Sequence, residues 1–121
     1  MSTPTVRLHR WDELALEKVT EMISRKVVTG EREMLAQIYL KRGALVPMHK
    51  HESEQMTYIL QGALKFVIGG GEEITVREGE VLHLPSWVEH QAEALEDTFE
   101  LDVFSPIRQD WLDKTDDYFR R

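Results

Sequence analysis

At 121 residues the chain has room for one hydrophobic core and is too short for two, so a single domain over residues 1–121 is expected. Its 15 basic and 22 acidic side chains give a formal net charge of -7 with no basic stripe, which argues against a nucleic-acid partner. The absence of cysteine excludes disulfides and thiolate metal sites, so any metal must be held by nitrogen and oxygen, and a reducing cytoplasm is the expected location.

The opening "MSTPTVRLHRW" lacks the apolar run of a secretory leader, and no later run approaches a membrane span; a soluble, unprocessed protein with no membrane partner is expected. In "WDELALEKVTEMISRKVV", Val19, Met22 and Ile23 fit a helical face, but "ISRKVV" is equally good strand text, and strand is favoured after Glu17. From Glu33 onward the chain reads as short extended runs closed by Gly and Pro: "EMLAQIYL", "QMTYILQG", "ALKFVIGGG", "EITVREG", "EVLHLPS" and "TFELDVFSP". Short, evenly spaced strands imply an all-β sandwich or barrel. Gly69, Gly70 and Gly71 mark a hairpin tip rather than an anion cradle, because a strand and not a helix follows them. At the tail, Trp111, Leu112, Thr115, Tyr118 and Phe119 share a face at helical spacing with Asp110, Asp113, Asp116 and Asp117 mostly opposite, so a short docked C-terminal helix is expected.

"HKHESEQ" carries the chemistry. Side chains alternate along a strand, so His49, His51 and Gln55 share parity; if "HKH" and "QMTYIL" form one extended arm, two imidazoles and an amide oxygen converge on one side of a sheet. His90, after a strand, a proline and a tight corner, supplies a fourth ligand. Three imidazoles and an oxygen suit one borderline divalent ion, Zn, Ni, Mn, Co or Fe, with positions left for water or substrate. Glu54 has the wrong parity to replace Gln55, and Glu52 is too close to His51 to reach back. A lone histidine on a strand is usually a surface or core residue, the reading for His9 and His83; alternate imidazoles without a ligand would repel when charged and waste burial when neutral.

Two stretches bring a resemblance with them. "GALVPMHKHESEQMTYILQG", residues 43–62, resembles the first cupin motif: Gly, five residues, His-x-His, three residues, Glu or Gln, six residues, Gly. "GEVLHLPSWVEHQAEA", residues 79–94, resembles the second, departing from it at Trp87, where Gly is common, and Ala94, where Asn is common. The resemblance implies a cupin jelly-roll β-barrel (a double-stranded β-helix), commonly a homodimer, with a metal in the barrel mouth at His49, His51, Gln55 and His90.

Beyond the motifs, "ELDVFSPIRQDWL" puts Asp102 and Phe104 on one face of a last strand, with Arg108 following at the rim. Alone, this is an edge strand with surface charges. After a His-x-His-x3-Gln core, Asp-x-Phe-Ser-Pro-x-Arg resembles the small cupins of pectin and alginate breakdown, which linearise 4,5-unsaturated monouronates. That resemblance implies Asp102 and Arg108 as the catalytic pair, with Phe104 and Arg108 binding a small anionic sugar. The fold also hosts dioxygenases, sugar-acid isomerases and non-catalytic ligand-binding modules, which remain alternatives. A glutamine ligand fits an anionic substrate: with four neutral ligands the ion keeps its full double charge, which a glutamate would reduce. Asp102 beside such a dication is expected to stay ionised and act as a base.

Overall fold

The structure, a computed structural model, describes residues 3–120. Its strands are β1 (Glu17–Lys18), β2 (Ile23–Thr29), β3 (Met34–Leu40), β4 (Leu45–His49), β5 (Glu54–Gln61), β6 (Ala63–Ile68), β7 (Glu73–Arg77), β8 (Val81–Leu84), β9 (His90–Ala94) and β10 (Thr98–Ser105). A six-stranded sheet in the order β1-β2-β3-β10-β5-β8 faces a four-stranded sheet in the order β4-β9-β6-β7, and the pairings are antiparallel. This is the expected jelly roll.

Burial follows the period-two pattern. Met34, Ala36, Ile38 and Leu40 of β3 point into the core with Ile59, Leu64, Phe66 and Leu84, while Leu35 and Tyr39 face outward. On β10 the inward positions are Thr98, Glu100, Asp102 and Phe104. Two carboxyl groups thus occupy places that the alternation reserves for apolar side chains, a local conflict that marks a functional site. The strand expected after Glu17 is present as β1 and β2, and the triple glycine closes the β6–β7 hairpin with positive φ at Gly70 and Gly71. Gly62 has the firmest requirement for glycine: at φ +95 a Cβ would lie 2.5 Å from the Asp97 carbonyl oxygen.

Two expectations change. His49 and Gln55 do not share one strand arm: His49 ends β4 in the smaller sheet, His51 lies in the connection, and Gln55 belongs to β5 of the larger sheet. Parity therefore does not bring them together; the chain crossing between sheets does.

The C-terminal helix is present but brief. Helix α1 spans Gln109–Leu112, and after a turn a 3-10 segment covers Asp117–Arg120, so Trp111 and Tyr118 do not share one helical face. Asp116, expected opposite the apolar face, is instead buried, its Oδ2 2.7 Å from Nη1 of the buried Arg25. Arg25 also bonds Glu17 at 2.9 Å and lies 4.2 Å from the Trp111 ring, so the tail is fastened to β1 and β2. No helix among the described residues is long and apolar enough to cross a membrane.

Candidate functional site

The end of β4, the connection into β5 and the start of β9 bring His49, His51 and His90 together, with ligand atoms within 4.8 Å of one another. Each ring is fixed by a backbone carbonyl: Nδ1 of His49 donates to Pro47 (2.8 Å), that of His51 to Ser53 (2.9 Å), and that of His90 to Val88 (2.8 Å). A carbonyl only accepts, so the proton of each neutral ring sits on Nδ1 and the Nε2 lone pairs are free. Burial pushes His49 down to about 3, helped by the neighbouring His90, and His51 down to about 4, helped by Arg108. His90 is likewise lowered by burial. The rings are neutral at physiological pH, the form that binds metals.

Two further observations fit this donor set to a cation. Nε2 of His90 is buried without a hydrogen-bond partner among the described residues. Nε2 of His51 stands 3.1 Å from Oε1 of Gln55, whose amide nitrogen donates to Oγ1 of Thr57 at 2.8 Å. Three imidazole nitrogens and an amide oxygen, oriented but short of a donor, suit a borderline divalent ion.

Asp102, Phe104 and Arg108 line the same cavity, of about 40 Å³, as His49, Gln55 and His90. Arg108 is not at the rim, as its position after the strand suggested; it is 3 % exposed, because Phe104 and Trp111 pack on its guanidinium at 5.2 and 4.8 Å. Its Nε and Nη2 donate to Asp110 (3.1 and 2.9 Å), and Nη2 also to the Tyr118 hydroxyl (2.7 Å). Among the described residues no hydrogen bond engages Nη1.

Asp102 accepts a 2.7 Å hydrogen bond from Thr57, yet burial pushes its carboxyl up to about 7. The bonds from Thr57 and Glu100 and the charge of Arg108 oppose that shift without cancelling it. The expectation of an ionised Asp102 concerns the site with its ion bound: burial alone raises the carboxyl, and a bound dication would draw it back to the carboxylate.

Three site residues escaped the sequence reading. Glu100 shares the parity of Asp102 and Phe104, and Thr57 that of Gln55, so alternation carried the signal for both. Tyr118, stacked on His49 at 4.2 Å, lies 13 residues past the end of β10, and its sequence signal is only that of an apolar tail face.

His9 is exposed, and His83 pairs at the surface with Glu54 at 2.6 Å, both outside the cluster. Trp87 keeps the backbone form of the glycine it replaces, at φ 68, and its ring stays outside the barrel.

Two antiparallel sheets around an inward histidine triad define a cupin; residues 37–105 match the cupin domain, and the chain belongs to that family. It is 30% identical over 104 residues to the pectin degradation protein KdgF of Dickeya dadantii (strain 3937), covering 84% of this chain and 94% of that one. KdgF from Halomonas sp. superposes with a TM-score of 0.76 at 34% identity, over 83% of this chain and 94% of that one. An RmlC-like cupin from Shewanella frigidimarina NCIMB 400 superposes at 0.81 over 88% of this chain and 96% of that one, and at 21% identity shares the fold alone.

Proposed function

We propose that this chain is a metal-dependent cupin that opens the ring of a 4,5-unsaturated monouronate and tautomerises it to the linear keto form. One observation carries the reading: Asp102 and Arg108 line the same cavity as His49 and His90, two members of a cluster of three neutral imidazoles that His51 completes. Similarity to proteins of pectin degradation supports this substrate class, since pectin is a polyuronide.

His49, His51, Gln55 and His90 would hold one divalent ion, of the Ni, Zn, Mn, Co or Fe group. When bound, it supplies a Lewis acid whose double charge is undiminished by its four neutral ligands. Arg108 offers Nη1 to the sugar carboxylate, with Asp110 and Tyr118 fixing the rest of its guanidinium. Phe104, 1 % exposed, forms an apolar wall that excludes water. Asp102, as carboxylate, takes the proton of the anomeric hydroxyl while the bond from that carbon to the ring oxygen breaks; the ring oxygen keeps the electron pair as an enolate. Protonation of the enolate at carbon completes the ketone, so the overall change is an isomerisation.

A cavity of about 40 Å³ holds only a few waters. Tyr118 and Phe119 of the tail line it together with Arg108 and Trp111, so the tail borders the space next to the histidines. The chain works as a homodimer, its partner covering the apolar outer face of the larger sheet. Purified protein should speed the loss of the ultraviolet absorbance of an unsaturated monouronate; decay at the spontaneous rate sinks the reading.

A further inference from the structure

Glu100 stands where the strand pattern calls for an apolar residue. It is 5 % exposed, lines the cavity and faces Ile38 and Ile59 across the two neighbouring strands. Its carboxyl lies beside that of Asp102, also buried and two residues along the same inward face of β10, and its Oε2 has no hydrogen-bond partner among the described residues. Two carboxylates cannot bond to each other without a proton, and two buried charges in contact repel strongly, so the pair holds one.

The surroundings decide which acid carries it. Asp102 receives the Thr57 hydroxyl at 2.7 Å and feels the positive charge of Arg108, both of which favour its ionised form. Glu100 has apolar cross-strand neighbours and the negative charge of Asp102, both of which favour its neutral form. Burial and that charge push Glu100 well above the ordinary carboxylic range.

We propose that Glu100 is a positioning residue for Asp102: a neutral carboxylic acid that donates a hydrogen bond to the Asp102 carboxylate and, together with Thr57, fixes the direction in which that base faces the cavity. The hydrogen bonds then run in one sense, from the Gln55 amide to Thr57 and from Thr57 to Asp102, with Glu100 donating from the other side. The same chain turns Oε1 of Gln55 towards His51, so the base and the fourth ligand are set by one network. A leucine of similar volume would avoid the cost of burying an acid, so a purely packing role does not account for the carboxyl.

Where activity is the readout, this inference rests on the proposed uronate reaction; its primary test does not. Infrared spectra of the wild-type protein at pH 7, without substrate, should show the carbonyl stretch of a protonated buried carboxyl, lost in Glu100→Gln. Glu100→Gln, which keeps a neutral donor, should retain kcat within about threefold. Glu100→Leu, which removes it, should lower kcat by about 10- to 100-fold, with KM and bound divalent ion unchanged. No such band in the wild type, or one that survives Glu100→Gln, overturns the inference. So does equal loss of kcat in both variants, or none in either. If wild type does not turn over the uronate, the functional reading fails separately, and the carboxyl band still decides the role of Glu100.

Discussion

Nε2 of His51 lies 3.1 Å from Oε1 of Gln55, and neither atom has a proton to offer the other. The ring proton is on Nδ1, donated to Ser53, and the amide hydrogens are on the far side of Gln55, towards Thr57. Two facing acceptors are stable only with something positive between or beside them. The purified protein should therefore carry close to one divalent ion per chain by elemental analysis. His51→Ala should lose it while keeping the β-sheet circular dichroism. Gln55→Glu should keep the ion but cut turnover roughly tenfold or more, because a carboxylate cancels one of its charges. A wild-type protein that is metal-free after gentle purification contradicts the assignment.

Asp102 should be costly for stability at alkaline pH. Its pKa is raised by burial from the ordinary 3.8 to about 7 in the fold. A raised acid pKa contributes stability below the unfolded value, and that stability is lost as pH rises through the folded one. Asp102→Asn cannot ionise there. With the ion removed from both proteins, its melting temperature should exceed that of wild type by about 5 °C at pH 8, and the difference should shrink towards pH 5. Equal melting temperatures across that range would show that Asp102 carries no burial penalty.

Much of this site was visible in the sequence, because the cupin motif spacings encode strand lengths and turns that deliver His49, His51, Gln55 and His90 to one place. The reason first offered for their convergence, shared parity on one arm, was wrong, since His49 and Gln55 lie in different sheets. Other features depend on partners remote in sequence. Arg108 and Asp116 read as surface charges locally; the first is buried by Phe104 and Trp111, the second by pairing with Arg25 from the other end of the chain. Glu100 was within reach of the alternation that singled out Asp102, since the two share parity on β10.

Arg108 should act mainly in binding. Its free Nη1 and its fixed orientation serve an anion in the ground state and the transition state alike, so Arg108→Ala should raise KM for the uronate more than it lowers kcat. An increase on the order of tenfold or more corresponds to the loss of one charge-assisted hydrogen bond. Steady-state kinetics with a fall confined to kcat would assign Arg108 a different role.

The outer face of the larger sheet exposes Leu35 (37 %), Tyr39 (38 %), Met56 (42 %) and Tyr58 (40 %), with Phe99 stacked on Tyr39 at 4.6 Å. An apolar face of this kind on an antiparallel sheet fits pairing with a second copy. Sedimentation should give a dimer at micromolar concentration, shifted towards monomer by Met56→Lys. A wild-type monomer throughout that range would contradict the assembly.

A bound metal and Asp102 are expected to act together on an unsaturated uronate, and the ultraviolet decay of that substrate reads both. With wild-type protein and its ion the absorbance should fall well above the spontaneous rate. Chelation should return it to the spontaneous rate, and re-addition of a divalent ion should restore it. Asp102→Asn, with its ion still bound, should lower kcat by on the order of a hundredfold or more. Decay at the spontaneous rate with metal-loaded wild type, or Asp102→Asn turning over as fast as wild type, would contradict the account.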